Sequence, residues 1–301
     1  MGDIENDTTD LGDFVIAKDL DHALYHMTVV VDDFEMGVTH VIRGQDHITN
    51  TPRQILIQEA IGAPRPFYAH IPLILAPDKT KLSKRHGATA VSDYLAQGYL
   101  PQALINFLSL IGWNPGDERE ILSLDELVKE FKLEKVHKNG AVFDVQKLNW
   151  MNKEYIKMLS EEKFLEYVLK FLPETVKELS GFSTEMLVKL LPTIKDRISK
   201  FSDVDDMAVA GEFDYFFEKP KYDKVLLKTV EFIPDLISIL EKTDKKDFTA
   251  DIVKSNIWDF ATEKGRGNVL GPMRIALSGK EKSPDPFTLA GILGKAETIT
   301  R

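Results

Sequence analysis

Between residues 80 and 87 the chain reads TKLSKRHG, which sets Lys81, Lys84 and Arg85 around Ser83, just ahead of Gly87. Three cations on so short a loop suit the neutralisation of a polyanion. ATP carries several negative charges, and a departing pyrophosphate gains more as it leaves. Cations that meet this developing charge count for more in the transition state than in the ground state. Ser83 can donate to a phosphate oxygen, and Gly87 lets the chain turn sharply. The same composition also describes an ordinary solvated surface loop. The chain has neither a GxxxxGK[ST] nor a GxGxxG signature, so the commoner nucleotide motifs are absent.

A second cluster is VIRGQDH, residues 41–47. An arginine at the end of a buried strand can take a carboxylate in a bidentate fork. Arg43 can equally be the ion-pair partner of a nearby acid such as Asp32 or Asp33. Tyr25, beside the preceding apolar run, is open to a core role as well as a binding one. His22 and His26 have helical spacing. They lie next to a stretch that reads as a strand, which argues against a metal pair.

These residues need elements to hold them. LYHMTVVVDD (24–33) reads as a strand buried on both faces, because Val29, Val30 and Val31 are β-branched and continuous. THVIRGQD (39–46) reads as a second strand. NTPRQILIQEAIG then predicts a helix, capped by Thr51, with Pro52 in its first turn and Gly62 at its end. HIPLIL (70–75) reads as a third strand leading into the cationic loop, and open α/β sheets bind ligands at the carboxyl ends of their strands. Beyond about residue 90 the spacing is helical, with Ser123 and Glu126 set as a capping box. Pro234 is expected to kink or divide the helix around it. The fold class is therefore a partial α/β nucleotide-binding, Rossmann-like domain followed by an all-α region. Its three strands are few for a doubly wound sheet.

The 301 residues suffice for two domains, and the 29% charged content suits a globular protein. There is no cysteine, which removes disulfides and thiol catalysis. No apolar run has the length of a membrane span, and the acidic start is not a signal peptide, so the expected location is the cytoplasm. Net charge is −10, unevenly spread: residues 1–50 hold 2 basic against 11 acidic side chains, and residues 51–100 hold 6 against 3. A globally acidic chain can still bind an anion where its cations gather.

Taken in order, DFVIAKD, YHMTVVVDDFEMGVTHVIRGQDHITNTPRQILI, KLSKRHGATAVSDYLAQGYLPQALINFLSLIGW and AVFDVQKLNWMN resemble bacterial glutamyl-tRNA synthetase, a class I aminoacyl-tRNA synthetase. KLSKR is similar to the second signature motif of that class. The likeness is strong from about Leu11 to Ile156, and GPMRIALSG with FTLAGILGKAETITR resembles the end of the family's anticodon-binding region. The resemblance implies that Lys84 contacts ATP and stabilises adenylate formation, while Lys81, Ser83 and Arg85 shape its loop. It implies that Arg43 holds the carboxylate of glutamate, that Tyr25 and His47 line the amino-acid pocket, and that Asp46 faces ATP. Val29 stands where some relatives carry asparagine, and Gln45 stands where many carry glutamate.

None of the seven histidines lies in the HxGH of the first class signature. The expectation is therefore a C-terminal portion of the enzyme, inactive alone and partnered by a missing N-terminal half. Residues 1–90 would complete the catalytic domain. Residues 91–156 would contact the tRNA stem, and 157–301 would form a helical anticodon-binding domain. Implied substrates are glutamate, tRNA(Glu) and ATP with Mg²⁺. No bound zinc and no membrane are expected, and the chain should be a monomer. Local basic residues such as Arg266 and Arg274 would contact tRNA. A non-catalytic tRNA- or protein-binding module is an alternative. Glutaminyl-tRNA synthetase is another, although that enzyme generally ends in β-barrels.

Overall fold

The computed structural model describes residues 4–83, 90–221, 226 and 230–301. Two compact units emerge, residues 1–96 with 100–151, and residues 97–99 with 152–301.

The first unit begins with an antiparallel pair, β1 (Ala17–Asp19) and β2 (His22–Ala23). A helix follows where a strand was expected: α1 spans Tyr25–Glu35. The run Val29–Val31 has strand propensity, yet burial follows a helical period. Val30 is buried, His26, Met27 and Asp33 are half-buried, and Thr28, Asp32 and Glu35 are exposed. The side that carries Val30 packs on α2 (Thr51–Ile61), and that contact outweighs local propensity. The ground for setting aside a His22–His26 pair also falls, since His22 is on β2 and His26 in the first turn of α1.

β3 (His40–Gly44) and β4 (Phe67–Ile71) pair in parallel, with α2 as their crossover, and Arg43 stands opposite His70. β4 lies earlier than the expected 70–75 because Pro72 has no N–H to give a ladder. Pro52 sits in the first turn of α2, and Gly62 closes it in the left-handed region at φ 69°. Thr51 is not the cap. Asn50 holds that position, and the Thr51 hydroxyl donates to the His47 carbonyl at 3.0 Å.

Three helices follow, α3 (Val91–Ala96), α4 (Pro101–Gly112) and α5 (Leu124–Glu130). The Ser123–Glu126 capping box forms as expected. Trp113, Leu122 and Leu127 make a buried cluster beneath α5. The boundary between the units falls inside α6 (Val145–Lys157).

Every described element of the second unit is helical: α7 (Glu161–Phe171), α8 (Glu174–Lys177), α9 (Thr184–Arg197), α10 (Asp203–Val209), α11 (Asp214–Phe217), α12 (Ile233–Glu241), α13 (Ala250–Lys264), α14 (Arg266–Ser278), α15 (Pro286–Leu293) and α16 (Lys295–Thr300). Pro234 neither kinks nor divides a helix. It sits in the first turn of α12, where its missing N–H leaves no bond unmade.

α15 approaches α13 closely enough that a Cβ on Gly291 would stand 2.7 Å from the backbone nitrogen of Ala250. Gly267, in the first turn of α14, has nothing beyond its own chain neighbours and helix backbone within 4 Å of its Cβ position. The two glycines should therefore respond oppositely to alanine. Gly267→Ala removes unfolded-state entropy and should stabilise by about 0.5–1 kcal/mol. Gly291→Ala forces two helix backbones apart and should cost about 1–3 kcal/mol. Urea unfolding of both variants measures the contrast, and equal shifts would mean that α13 and α15 do not meet so closely.

Candidate functional site

Arg43 is the second-last residue of β3, and its side chain lies in a polar layer between the two strands and α2. Tyr68 and His70 rise from the same side of β4, their rings parallel within 4°. From α2 come Thr51, Gln54 and Gln58, whose spacing places them on one helical face. Gln54 and Gln58 are only 1% and 3% exposed, although helix faces against a sheet are usually apolar.

The layer is tied together by hydrogen bonds. Arg43 Nη2 donates to Thr51 Oγ1 at 2.8 Å and to Gln54 Oε1 at 2.7 Å. Arg43 Nε donates to His70 Nε2 at a longer 3.4 Å, and the guanidinium carbon lies 5.1 Å from the Tyr68 ring centroid. Gln58 Nε2 donates to the Tyr68 hydroxyl at 2.9 Å. Among the described residues no carboxylate pairs with Arg43, so the ion-pair role with Asp32 or Asp33 is not realised. Its charge is left uncompensated, which suits an incoming anion. The effect reaches its neighbours. Burial, then Arg43 and His47, holds the His70 imidazole below its usual range. Burial, then Arg53, Arg43 and His47, does the same to His26.

The other expected residues gather nearby. Tyr25, half exposed in the first turn of α1, has its ring centroid 6.2 Å from that of His47. His47 lies in the single-turn helix Gln45–Asn50 that follows β3, and its Nδ1 meets the Asn50 amide at 3.2 Å. Asp46 in the same turn accepts from Lys81 Nζ at 2.7 Å, which joins the second cluster to the cationic loop. Gly44 makes room for this carboxylate, because a Cβ there would stand 2.5 Å from Asp46 Oδ1. Ser83 is among the described residues. Lys84 and Arg85 lie outside the described residues. Thr51, Gln54, Tyr68 and His70 were missed in the sequence. For Thr51 and Gln54 the signal was the polar spacing of α2, which periodicity passes over because it looks for apolar residues; for Tyr68 and His70 it was their alternate positions on β4.

In the second unit, Arg266 is exposed at the start of α14, with its guanidinium carbon 4.4 Å from the Trp258 ring centroid. Lys254 Nζ is 5.3 Å from the same centroid. Arg274 is different. It is half-buried within α14, and its Nε is buried without a partner among the described residues.

This geometry has known counterparts. The family described as tRNA synthetases class I (E and Q), catalytic domain, matches residues 1–150, and an anticodon binding domain matches residues 163–301. Glutamate–tRNA ligase 1 of Caldanaerobacter subterraneus subsp. tengcongensis is 37% identical over 310 residues, covering 100% of this chain and 63% of the relative. Residues 1–150 thus belong with the class I tRNA synthetases of the E and Q type. Glutamate–tRNA ligase of Thermodesulfovibrio yellowstonii is 39% identical, covering 100% of this chain and 65% of the relative. A crystal structure of a glutamate tRNA ligase from Elizabethkingia meningosepticum, in complex with its amino acid, superposes with a TM-score of 0.80 at 34% identity. It matches 97% of this chain and 62% of that one. The chain thus spans about 63% of the length of the curated relatives it matches.

The Asp46–Lys81 contact can be tested directly. The Lys81 hydrogen bond holds the Asp46 carboxyl below the usual range. Carbon-detected titration should therefore find Asp46 ionised at a lower pH than an ordinary aspartate, with its midpoint rising in Lys81→Ala. An unchanged midpoint in the variant would show that the two residues do not meet in solution.

Proposed function

We propose that this chain carries part of the amino-acid and ATP machinery of a glutamate–tRNA ligase, together with its tRNA-reading helices. The carrying observation is Arg43, a half-buried cation held, among the described residues, by neutral groups alone. It sits at the carboxyl end of β3, beside the Asp46–Lys81 contact that leads into the cationic loop.

In the proposed reaction a carboxylate oxygen of glutamate attacks the α-phosphorus of ATP, which enters as its Mg²⁺ complex, a substrate. The bond to the bridging oxygen breaks, and pyrophosphate leaves with the electron pair. A hydroxyl of the terminal adenosine of tRNA then attacks the glutamyl carbonyl, AMP departs, and the hydroxyl proton passes to solvent. Arg43 holds a glutamate carboxylate, with Tyr25 and His47 beside it. Lys84 meets charge on the leaving pyrophosphate, and Lys81, Ser83 and Arg85 shape the loop around it. Asp46 faces ATP and steadies Lys81. Residues 91–156 contact the stem and 157–301 the anticodon, with Arg266 presenting its cation on Trp258. Arg274 brings a second cation to the same helix. The setting is the cytoplasm, where translation needs this product; among the described residues no helix is long and apolar enough to cross a membrane.

Two measurements bear on this. The 301-residue chain has no HxGH signature and should not catalyse glutamate-dependent exchange of pyrophosphate into ATP; robust exchange would overturn the division of labour proposed here. It should nevertheless bind glutamate tRNA. In a titration at stated salt, exchange of the anticodon should weaken binding, because unpaired bases offer their edges. Arg266→Ala should lower affinity and reduce the salt slope by about one. Equal affinity for cognate, anticodon-swapped and unrelated tRNA would favour the binding-module alternative with another partner.

A further inference from the structure

Arg43 has five N–H donors, and the polar layer uses a definite set of them. Both Nη2 hydrogens are engaged, one on Thr51 Oγ1 and one on Gln54 Oε1, and the Nε hydrogen points to His70. Nη1 has no partner among the described residues. A fork to a carboxylate needs two adjacent nitrogens, and each such pair includes Nη2 or Nε. The geometry therefore does not support the bidentate grip expected from an arginine at this position. It leaves a single nitrogen, Nη1, with its two hydrogens.

The identity of the clamp is equally specific. Arginine only donates, so the Gln54 oxygen must face Arg43 and its amide nitrogen must face away. That nitrogen is buried and has no partner among the described residues. An unsatisfied donor costs stability, whereas a methionine of similar shape at this position would leave none. A glutamate would bind Arg43 more strongly, but it would cancel the charge. Glutamine is the residue that grips the guanidinium and leaves its charge intact. Thr51 and His70 follow the same rule, as neutral acceptors around a cation.

We infer that Gln54, supported by Thr51 and His70, is a positioning residue that holds Arg43 through neutral acceptors, so that Nη1 and the full positive charge are presented to a carboxylate of the amino-acid substrate. This deepens the proposed function and rests on its assignment of Arg43 to glutamate. None of the three positioning groups need touch the substrate, so their effect is on the arginine's rotamer and field.

The test uses the 301-residue chain labelled with ¹⁵N-arginine, with L-glutamate as the probe. In the unaltered chain, rotation about the Arg43 Cζ–Nη2 bond should be slow, and L-glutamate should shift Arg43 resonances. Gln54→Met keeps the shape and removes the acceptor: rotation should become fast, and glutamate should bind at least about fivefold more weakly. Gln54→Glu keeps the grip and cancels the charge: rotation should stay slow, while glutamate should bind at least about tenfold more weakly. A merely structural glutamine would alter the melting temperature in both variants without this split. Wild-type affinity in Gln54→Glu, or unchanged Arg43 rotation in Gln54→Met, would overturn the inference. Thr51→Val, which removes a second acceptor isosterically, supplies the same rotation readout if either Gln54 variant fails to fold. If glutamate shifts no Arg43 resonance in the unaltered chain, the functional assignment of Arg43 fails; the rotation measurements still decide the clamp.

Discussion

A guanidinium packed between a helix and two strands must keep its hydrogen bonds without losing its charge, and much of the first unit is arranged around that demand. The parallel register of β3 and β4 brings Arg43 opposite His70. The crossover helix must then offer polar groups where a crossover helix normally offers apolar ones, which is why Gln54 and Gln58 are buried. Polar burial of this kind weakens the hydrophobic seam, and the shortfall is met on other faces: Ile57 is buried on α2, and Val30 on α1. Orphaned amide atoms remain on both glutamines. Groups of this kind are rare in folded proteins, and their concentration around one uncompensated arginine fits a layer shaped for binding more than for stability.

Arginines elsewhere in the chain show what the alternative looks like. Arg119 gathers Asp117, Glu126 and Glu130, and Arg197 pairs with Glu212. Arg301 combines an ion pair to Glu297 with donation to the carbonyls of Tyr215, Leu277 and Glu218. These three have carboxylate partners and fasten loops or helix ends. Among the described residues Arg43, Arg53, Arg65, Arg266 and Arg274 have none. Arg266 instead lies over an aromatic ring, an arrangement that keeps its charge available to an anion. Charge compensation thus marks off the fastening arginines, whereas its absence alone does not assign a binding role, since Arg53 and Arg65 lack a carboxylate partner as well.

The legibility of the chain follows the same physics. Helices with strong apolar spacing and caps, such as α5 and α7, were plain in the sequence, because local propensity and tertiary packing agree there. The stretch 25–35 was misread because three consecutive valines favour a strand locally, while packing against α2 fixes a helix. The motifs RGQD and KLSKR were legible as residues, and the joining of Asp46 to Lys81 was not, because 35 positions separate them. Gln54 was the least visible of all. A glutamine on a helix reads as solvent-facing, and only the strand register reveals that an arginine lies beneath it.

That register also explains how a chain with a net charge of −10 can present an anion site. Exposed charges are screened within about 10 Å at ordinary ionic strength, so the acidic side chains of the first fifty residues act on a distant ligand only weakly. A half-buried cation is screened far less. Burial first, and then the nearby cations (Arg53 and Arg43 for His26, Arg43 for His70) together with His47, holds both imidazoles below their usual range. Histidine neutrality in turn protects the arrangement: an imidazolium at His70 could not accept from Arg43 and would repel it. The same burial that makes Arg43 a strong local charge therefore disfavours a positive charge on the imidazoles beside it.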